Sequence, residues 1–250
     1  MRTERKQAEE SGTPSYRGTA IAVGVLFILC SATSILSIVP LGGPLVAPVD
    51  LAKLATNDTR VVLTALIEFV WALTGAGIAI GLYPVIKRFN PALALGSVAG
   101  RLVEAVFVVV GALGLLALLT VSQEAVVAGS AGLSSAMTTS NLVLAAREWA
   151  HGFVVLIPFA VGAFMYYVVL YRSRLVPRWL SGWGLVAIVM LMVSTIYAGF
   201  TQEFGFSTVN TVLNIPIGLQ EMALAVYLIA KGFDRKALAS AAPAVTETAA

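Results

Sequence analysis

This sequence has little charge. Asp, Glu, Lys and Arg make up 12% of its 250 residues, whereas a typical soluble domain is about a quarter charged. Hydrophobic residues make up 58% of the chain. Soluble domains of this length could not cover their surfaces with so few polar residues, so the composition excludes them and predicts a membrane protein.

Cysteine and histidine are also scarce. The only cysteine, Cys30, can form no disulfide within the chain. With one histidine, His151, the sequence predicts no metal site and no cofactor. The net charge of +3 is not gathered into a basic stripe with interleaved aromatic residues, so we expect no nucleic-acid partner.

Six apolar runs are long enough to cross the roughly 30 Å hydrocarbon core of a bilayer. The first is too long for a secretory signal and lacks a small-residue cleavage site after it, so we expect an uncleaved helix. The predicted spans are residues 18–39, 61–84, 92–119, 142–171, 179–200 and 209–230. The sequence therefore predicts an all-α, polytopic six-helix transmembrane bundle over residues 18–233, with short amphipathic segments on the outer face. Residues 1–17 and 234–250 are predicted to be disordered cytoplasmic tails.

The basic residues predict the orientation of this bundle. Twelve of the 16 Lys and Arg residues flank the predicted spans on the side of the two termini. Only Lys53, Arg60 and the helix-edge Arg147 lie toward the other side. Since positive charge is retained on the cytoplasmic side, we expect both termini to be cytoplasmic.

Ionisable residues inside the spans are the candidate functional residues, because burying each one in lipid costs several kcal/mol. Helical spacing places them on polar stripes that should face one another inside the bundle. The stripes are Thr64, Glu68, Trp71 or Ala72, and Gly75 in the second span; Ser97, Arg101, Glu104, Val108 and Gly111 in the third; and Asn210, Asn214, Gly218 and Glu221 in the sixth. Counted from the outer ends of the spans, they form a staggered ladder through the middle of the membrane. Arg101 could pair with Glu104 on its own helix or with Glu221 across the bundle. The candidate polar network is Glu68, Arg101, Glu104, His151, Asn214 and Glu221.

Three kinds of function fit such a network. The charges could neutralise one another and hold the helices of a structural or interaction protein together, which is the interpretation that we favour. They could instead carry protons or a small solute in a transporter. An intramembrane enzyme is the third alternative, but no spacing of the carboxylates and His151 supports a metal or an activated nucleophile. The expected partners are the lipid bilayer and, in the second case, a proton or small solute.

Two glycine motifs predict close helix packing. Gly77-x-x-x-Gly81 and Gly96-x-x-x-Gly100 lie in the second and third spans, and small residues at this spacing allow helix backbones to approach. We expect the two motifs to bring these two helices together.

Three segments resemble one family. They are Arg101-Leu102-Val103-Glu104-Ala105, residues 171–184 (YRSRLVPRWLSGWG), and Gln220-Glu221-Met222-Ala223-Leu224-Ala225 with its continuation to Phe233. Together they resemble the bacterial domain-of-unknown-function 4386 family, over about Tyr16 to Phe233. The resemblance implies a multi-pass protein of a bacterial cytoplasmic membrane with no established activity, and it supplies no catalytic residues.

Overall fold

The computed structural model describes residues 16–42 and 50–241 of the chain, and within these ranges it contains helices and no strands. Six of the helices are long and apolar enough to cross a membrane. This confirms the predicted all-α, six-helix membrane fold. The tails predicted to be disordered lie outside the described residues over 1–15 and 242–250.

The helices are named here in chain order. The six membrane-crossing units are α1, α3, α4, the continuous pair α5–α6, α7 and α8. Their bounds are α1 Arg17–Leu36, α2 Leu51–Thr56, α3 Asp58–Ile86, α4 Pro91–Ala128, α5 Ser130–Trp149, α6 Leu156–Ser173, α7 Arg178–Thr201, α8 Thr208–Ala230 and α9 Arg235–Ser240. Two π-helical segments extend them, Ser37–Gly42 after α1 and Ala150–Val154 between α5 and α6.

The six membrane-crossing units form a closed ring in the order of the chain. α1 packs against α3, α3 against α4, α4 against α6, α6 against α7, and α7 against α8. Packing of α8 against α1 closes the ring. Side chains that point toward the axis of this ring are therefore enclosed by helices on every side.

The two ends of the ring differ in charge. We call the end where α1, α4 and α7 begin the basic face, and the opposite end the loop face. At the basic face, the Arg17 guanidinium donates to the Leu228 carbonyl at 3.3 Å and to the last carbonyls of α8. A cation is favourable there because the C-terminus of a helix carries partial negative charge. The basic face carries Arg17, Lys87, Arg88, Arg172, Arg174, Arg178, Lys231, Arg235 and Lys236.

Two membrane-crossing units are longer than the others and extend beyond them at the loop face. α4 has 38 residues, and the unit that contains α5 and α6 has 42, or about 57 Å and 63 Å at 1.5 Å per residue. The segment after residue 119, expected to be a surface segment, instead continues α4 and begins α5, which form a helical hairpin. Helix α2 packs against α4, and Leu54 of α2, Val61 of α3 and Leu115 and Leu119 of α4 form a second, smaller apolar core.

The expectation for the glycine motifs was wrong about their partners. A Cβ atom at Gly81 would meet Val23 of α1, and one at Gly77 would meet Leu26 of α1. A Cβ atom at Gly100 would lie 2.8 Å from the Gly162 Cα of α6. Each helix in the ring has two neighbours. The glycines of α3 pack against α1 and those of α4 pack against α6, rather than against each other.

The C-terminal tail begins with a helix rather than with disorder. The Asp234 side chain accepts from the Ala237 N–H at 2.9 Å and caps α9. The Asp234 N–H donates to the Leu175 carbonyl at 2.9 Å, and Leu238 is buried in the main core. The apolar side chains within residues 234–241 therefore cover the bundle at the basic face.

Candidate functional site

The first cluster of buried charge lies toward the loop face and is called the loop-face cluster: Glu68, Trp71, Gly111, Arg147 and His151. Arg147 Nη1 donates to Glu68 Oε2 at 3.0 Å, and Arg147 Nη2 makes a second, short bond to Oε1 of the same carboxylate. Nη1 also donates to the Gly111 carbonyl. Glu68 is 0% exposed. One guanidinium therefore joins α3, α4 and α5 through a bidentate ion pair and a backbone hydrogen bond.

His151 completes the loop-face cluster from an irregular part of the chain. It lies in the π-helical segment, where the Val155 N–H donates to the Ala150 carbonyl at 2.9 Å. Its Nε2 lies 3.9 Å from Glu68 Oε2, and its ring stands edge-on to Trp71 at 5.6 Å. A Cβ atom at Gly111 would collide with the imidazole. Glycine at this position of α4 thus makes the room that His151 occupies.

The second cluster lies on the axis of the ring and is called the central cluster: Cys30, Gly75, Arg101, Glu104 and Phe159. Arg101 Nη1 lies 2.9 Å from Glu104 Oε2, although the two groups are not aligned as a hydrogen bond. Arg101 Nε donates to the Gly75 carbonyl at 3.1 Å, and Nη2 lies 3.8 Å from the Cys30 sulfur. The guanidinium carbon is 4.8 Å from the centre of the Phe159 ring. Arg101 is 1% exposed and contacts α1, α3 and α6 from α4.

The structure places the two candidates on α8 less deeply. Glu221 is partly exposed. It interacts electrostatically with Arg101 and Tyr166, but its carboxylate makes no hydrogen bond or close ion pair among the residues described. Asn214 Oδ1 is buried, and no hydrogen bond within residues 16–42 and 50–241 joins it to either cluster. Tyr166 is fully buried beside the central cluster, and its hydroxyl meets no hydrogen-bond partner of good geometry within the described ranges.

The candidate residues therefore form two clusters rather than one continuous ladder. On α4, Arg101 belongs to the central cluster and Gly111 to the loop-face cluster. Their separation of ten positions along the helix corresponds to about 15 Å. The ladder expected from sequence was estimated from the depth of each residue in its span, and it did not include Arg147. In the structure, Arg147 pairs with Glu68, and this ion pair is separate from that of Arg101 and Glu104. The open pairing of Arg101 is resolved in favour of Glu104 on its own helix.

Arg147 is the important residue that sequence reasoning missed, since it was assigned to a helix edge. Its spacing of four residues from His151 places both on one helix face, which was the available signal. A second polar link was also missed. The Tyr167 hydroxyl donates to Gln220 Oε1, and Gln220 Nε2 donates to the Leu180 carbonyl at 3.0 Å, joining α6, α8 and α7.

Chemically, the two clusters can hold helices together or hold a proton, but they do not resemble a metal centre. Within the part of the chain that the structure describes, no three His, Cys, Asp or Glu side chains lie close enough to bind a metal ion. The central cluster pairs Arg101 with Glu104, and Glu221 lies farther away, without a close ion pair among the described residues. The loop-face cluster pairs one arginine with one carboxylate.

Comparison with known proteins gives one match. No curated protein and no solved structure matches the chain. The family model described as Domain of unknown function (DUF4386) matches residues 22–232, which contain both clusters. With six apolar helices over the same residues, the chain is a multi-pass membrane protein that belongs to the DUF4386 family.

Proposed function

We propose that this protein is a structural or interaction component of the membrane, and that its buried charges hold the six-helix ring together. One observation carries the proposal: each buried arginine joins at least three helices. Arg147 joins α3, α4 and α5, and Arg101 joins α4 to α1, α3 and α6. In lipid there is no hydrophobic force between helices, so polar contacts of this kind are one of the few sources of specific association.

The burial of both clusters supports the same interpretation. Glu68, Arg101 and Glu104 are 0%, 1% and 4% exposed. A buried ion pair is costly to assemble, but removing one partner is costlier, because the other charge is left without compensation. Paired charges enclosed by helices stabilise one arrangement of the bundle, whereas a transport site has to be reached by its solute.

Replacing Arg101 with alanine tests this proposal. We expect Arg101→Ala to lower the stability of the purified protein in detergent by about 2 kcal/mol, since Glu104 loses its counter-ion. For a protein of this size the shift corresponds to a Tm lower by roughly 4–8 °C. Adding Glu104→Gln should restore part of the loss, as measured by a double-mutant cycle. Strictly additive losses would show that the two residues are not coupled, and would contradict the proposal at the central cluster.

A proton-coupled carrier is the second candidate, and the surplus carboxylate favours it. Inside the ring, Glu68, Glu104 and Glu221 outnumber Arg101 and Arg147, and Glu221 is the one without a close cation. A carrier needs an ionisable group that changes its protonation inside the membrane. Glu221 also lies five residues after Pro216, which interrupts the hydrogen bonding of α8.

The two candidates differ in one measurement on the same set of variants. In vesicles under an imposed pH gradient, the structural proposal expects equal proton flux from the wild type and from Glu221→Gln, at the level of protein-free vesicles. Flux from the wild type that Glu221→Gln abolishes, with the Tm unchanged, would overturn it in favour of the carrier. The Arg101→Ala variant serves as the control for leakage from a loosened bundle.

We also propose that the basic face is cytoplasmic and that the membrane is a bacterial cytoplasmic membrane. The charge difference between the two faces supports the first statement, and the family resemblance supports the second. In a Cys30→Ser background, a cysteine at the exposed Ala239 on α9 should be protected from an impermeant thiol reagent in intact cells. A cysteine at the exposed Ser135, on the α4–α5 hairpin, should react. Labelling of Ala239→Cys alone would invert the orientation.

A further inference from the structure

An apolar groove runs along the outside of the ring between α4 and α6. Its volume is about 540 Å³, and it is open to the surroundings of the bundle. Nearly all of its lining is apolar, and it includes Gly96, Gly100, Val103, Phe107, Pro158 and Met165. It lies outside both charged clusters, and the bundle itself gives it no occupant.

Small residues create the groove. The backbones of α4 and α6 approach so closely that a Cβ atom at Gly100 would lie 2.8 Å from the Pro158 carbonyl oxygen. Gly96, Ala99 and Gly100 have little or no side chain to fill the surface beside this contact, and the larger Phe107 and Met165 also line the groove. The Met165 side chain packs over Gly96, where a Cβ atom would collide with its sulfur.

The position of the groove selects its occupant. Along α4 it begins five residues after Pro91 and ends sixteen residues after it, or about 8 to 24 Å from the basic face. This depth falls inside the roughly 30 Å hydrocarbon core. An apolar groove there offers no partner to a polar solute, but it offers dispersion contacts to a long hydrocarbon chain.

The groove points toward positive charge at the basic face. On α6, Val161, Met165 and Arg172 are four and seven residues apart and so share one helix face. Arg172 is exposed near the end of α6. A guanidinium binds a phosphate group bidentately, and basic side chains at a membrane surface favour lipids with net negative charge.

We propose that the groove binds one acyl chain of an anionic phospholipid from the leaflet at the basic face, and that Arg172 binds the phosphate of its headgroup. The site holds a lipid against α4 and α6 at the level of the central cluster. Two features distinguish it from the rest of the lipid-facing surface. The groove is recessed into that surface, and the face of α6 that lines it continues to the basic side chain of Arg172.

Photocrosslinking tests the proposal. The purified full chain is placed in phosphatidylcholine nanodiscs that contain phosphatidylglycerol with a diazirine in one acyl chain, and the adducts are mapped by mass spectrometry. We expect adducts to concentrate on the residues that line the groove. Ala99→Trp should fill the groove from its exposed wall and abolish this concentration, whereas Ala22→Trp, at an exposed alanine of α1, should not.

A second pair of variants tests the headgroup contact. Arg172→Gln should lower the preference for phosphatidylglycerol over diazirine-labelled phosphatidylcholine by about fivefold. Lys236→Gln, an equal charge change on α9, should leave it unaltered. Circular dichroism and Tm verify folding, and Val161→Trp replaces Ala99→Trp if that variant does not fold. Adducts spread evenly over the lipid-facing surface would overturn the proposal.

Discussion

Replacing Arg147 with glutamine is expected to cost about 3–5 kcal/mol of stability, the largest effect of any single change discussed. Glu68 is 0% exposed and receives two bonds from the Arg147 guanidinium. Removing one member of a buried ion pair leaves an uncompensated charge, which accounts for most of the loss. In detergent the Tm should fall by roughly 10 °C or more.

The Glu68→Gln substitution should rescue much of this loss when it is combined with Arg147→Gln, because two amides in the same place carry no charge. Arg235→Gln, at an exposed position of α9, is the control and should change stability by less than about 0.5 kcal/mol. If Arg147→Gln behaved like this control, the loop-face cluster would contribute nothing to the assembly of the ring.

Replacing Gly100 with leucine is expected to cost about 3 kcal/mol or more. Its Cβ atom would lie 2.8 Å from both the Gly162 Cα and the Pro158 carbonyl oxygen. Both are backbone atoms, so neither can turn aside as a flexible side chain would. α4 and α6 must therefore separate, and a well-packed interior resists such a shift.

Gly218→Leu is the matched control for Gly100→Leu. Gly218 lies within α8, also in a membrane-crossing helix, but nothing lies within 4 Å of a Cβ atom placed there. We expect its Tm to be unchanged or slightly raised, because leucine favours the helix over glycine. The comparison is made by thermal unfolding in the same detergent. Equal losses from the two variants would mean that the contact between α4 and α6 is not as close as the structure shows.

Much of the fold could be predicted because membrane helices are recognisable from the length and composition of their apolar runs. On α4, the stripe of Ser97, Arg101, Glu104, Val108 and Gly111 is buried as its helical spacing predicts. Polar side chains mark the interior face of a membrane helix because lipid cannot satisfy them. The same rule placed Thr64 and Glu68 of α3 inside the ring.

The rule failed where polar side chains were sparse. On α8, the predicted inward stripe contained Asn210, Asn214, Gly218 and Glu221, yet Gly218 is exposed. The buried face passes instead through Asn210, Ile217, Gln220 and Leu224. An apolar side chain has a similar free energy against lipid and against protein, so hydrophobicity alone does not determine which face of a membrane helix is buried.

The pairing of the charges could not be predicted for a different reason. Glu68 and Arg147 are 79 residues apart in the chain, and their contact depends on which helices are neighbours in the ring. The ends of α4 and α5 at the loop face could not be predicted either, because an apolar run ends at the membrane surface while the helix can continue into water. The second apolar core lies at the ends of the predicted spans, since Val61 begins the second span and Leu119 ends the third.

The closed order of the ring makes the position of the chain ends nearly arbitrary. Every neighbouring pair except α1 with α8 is also consecutive along the chain, and the bonds from Arg17 to the end of α8 hold the two terminal helices side by side at one face. A covalent linker could join them there, and the chain could be opened at a different connection, without changing which helices touch. Circularly permuted forms should therefore retain the same architecture. In the natural chain, α8 is the one membrane-crossing helix whose ring neighbour, α1, was synthesised long before it.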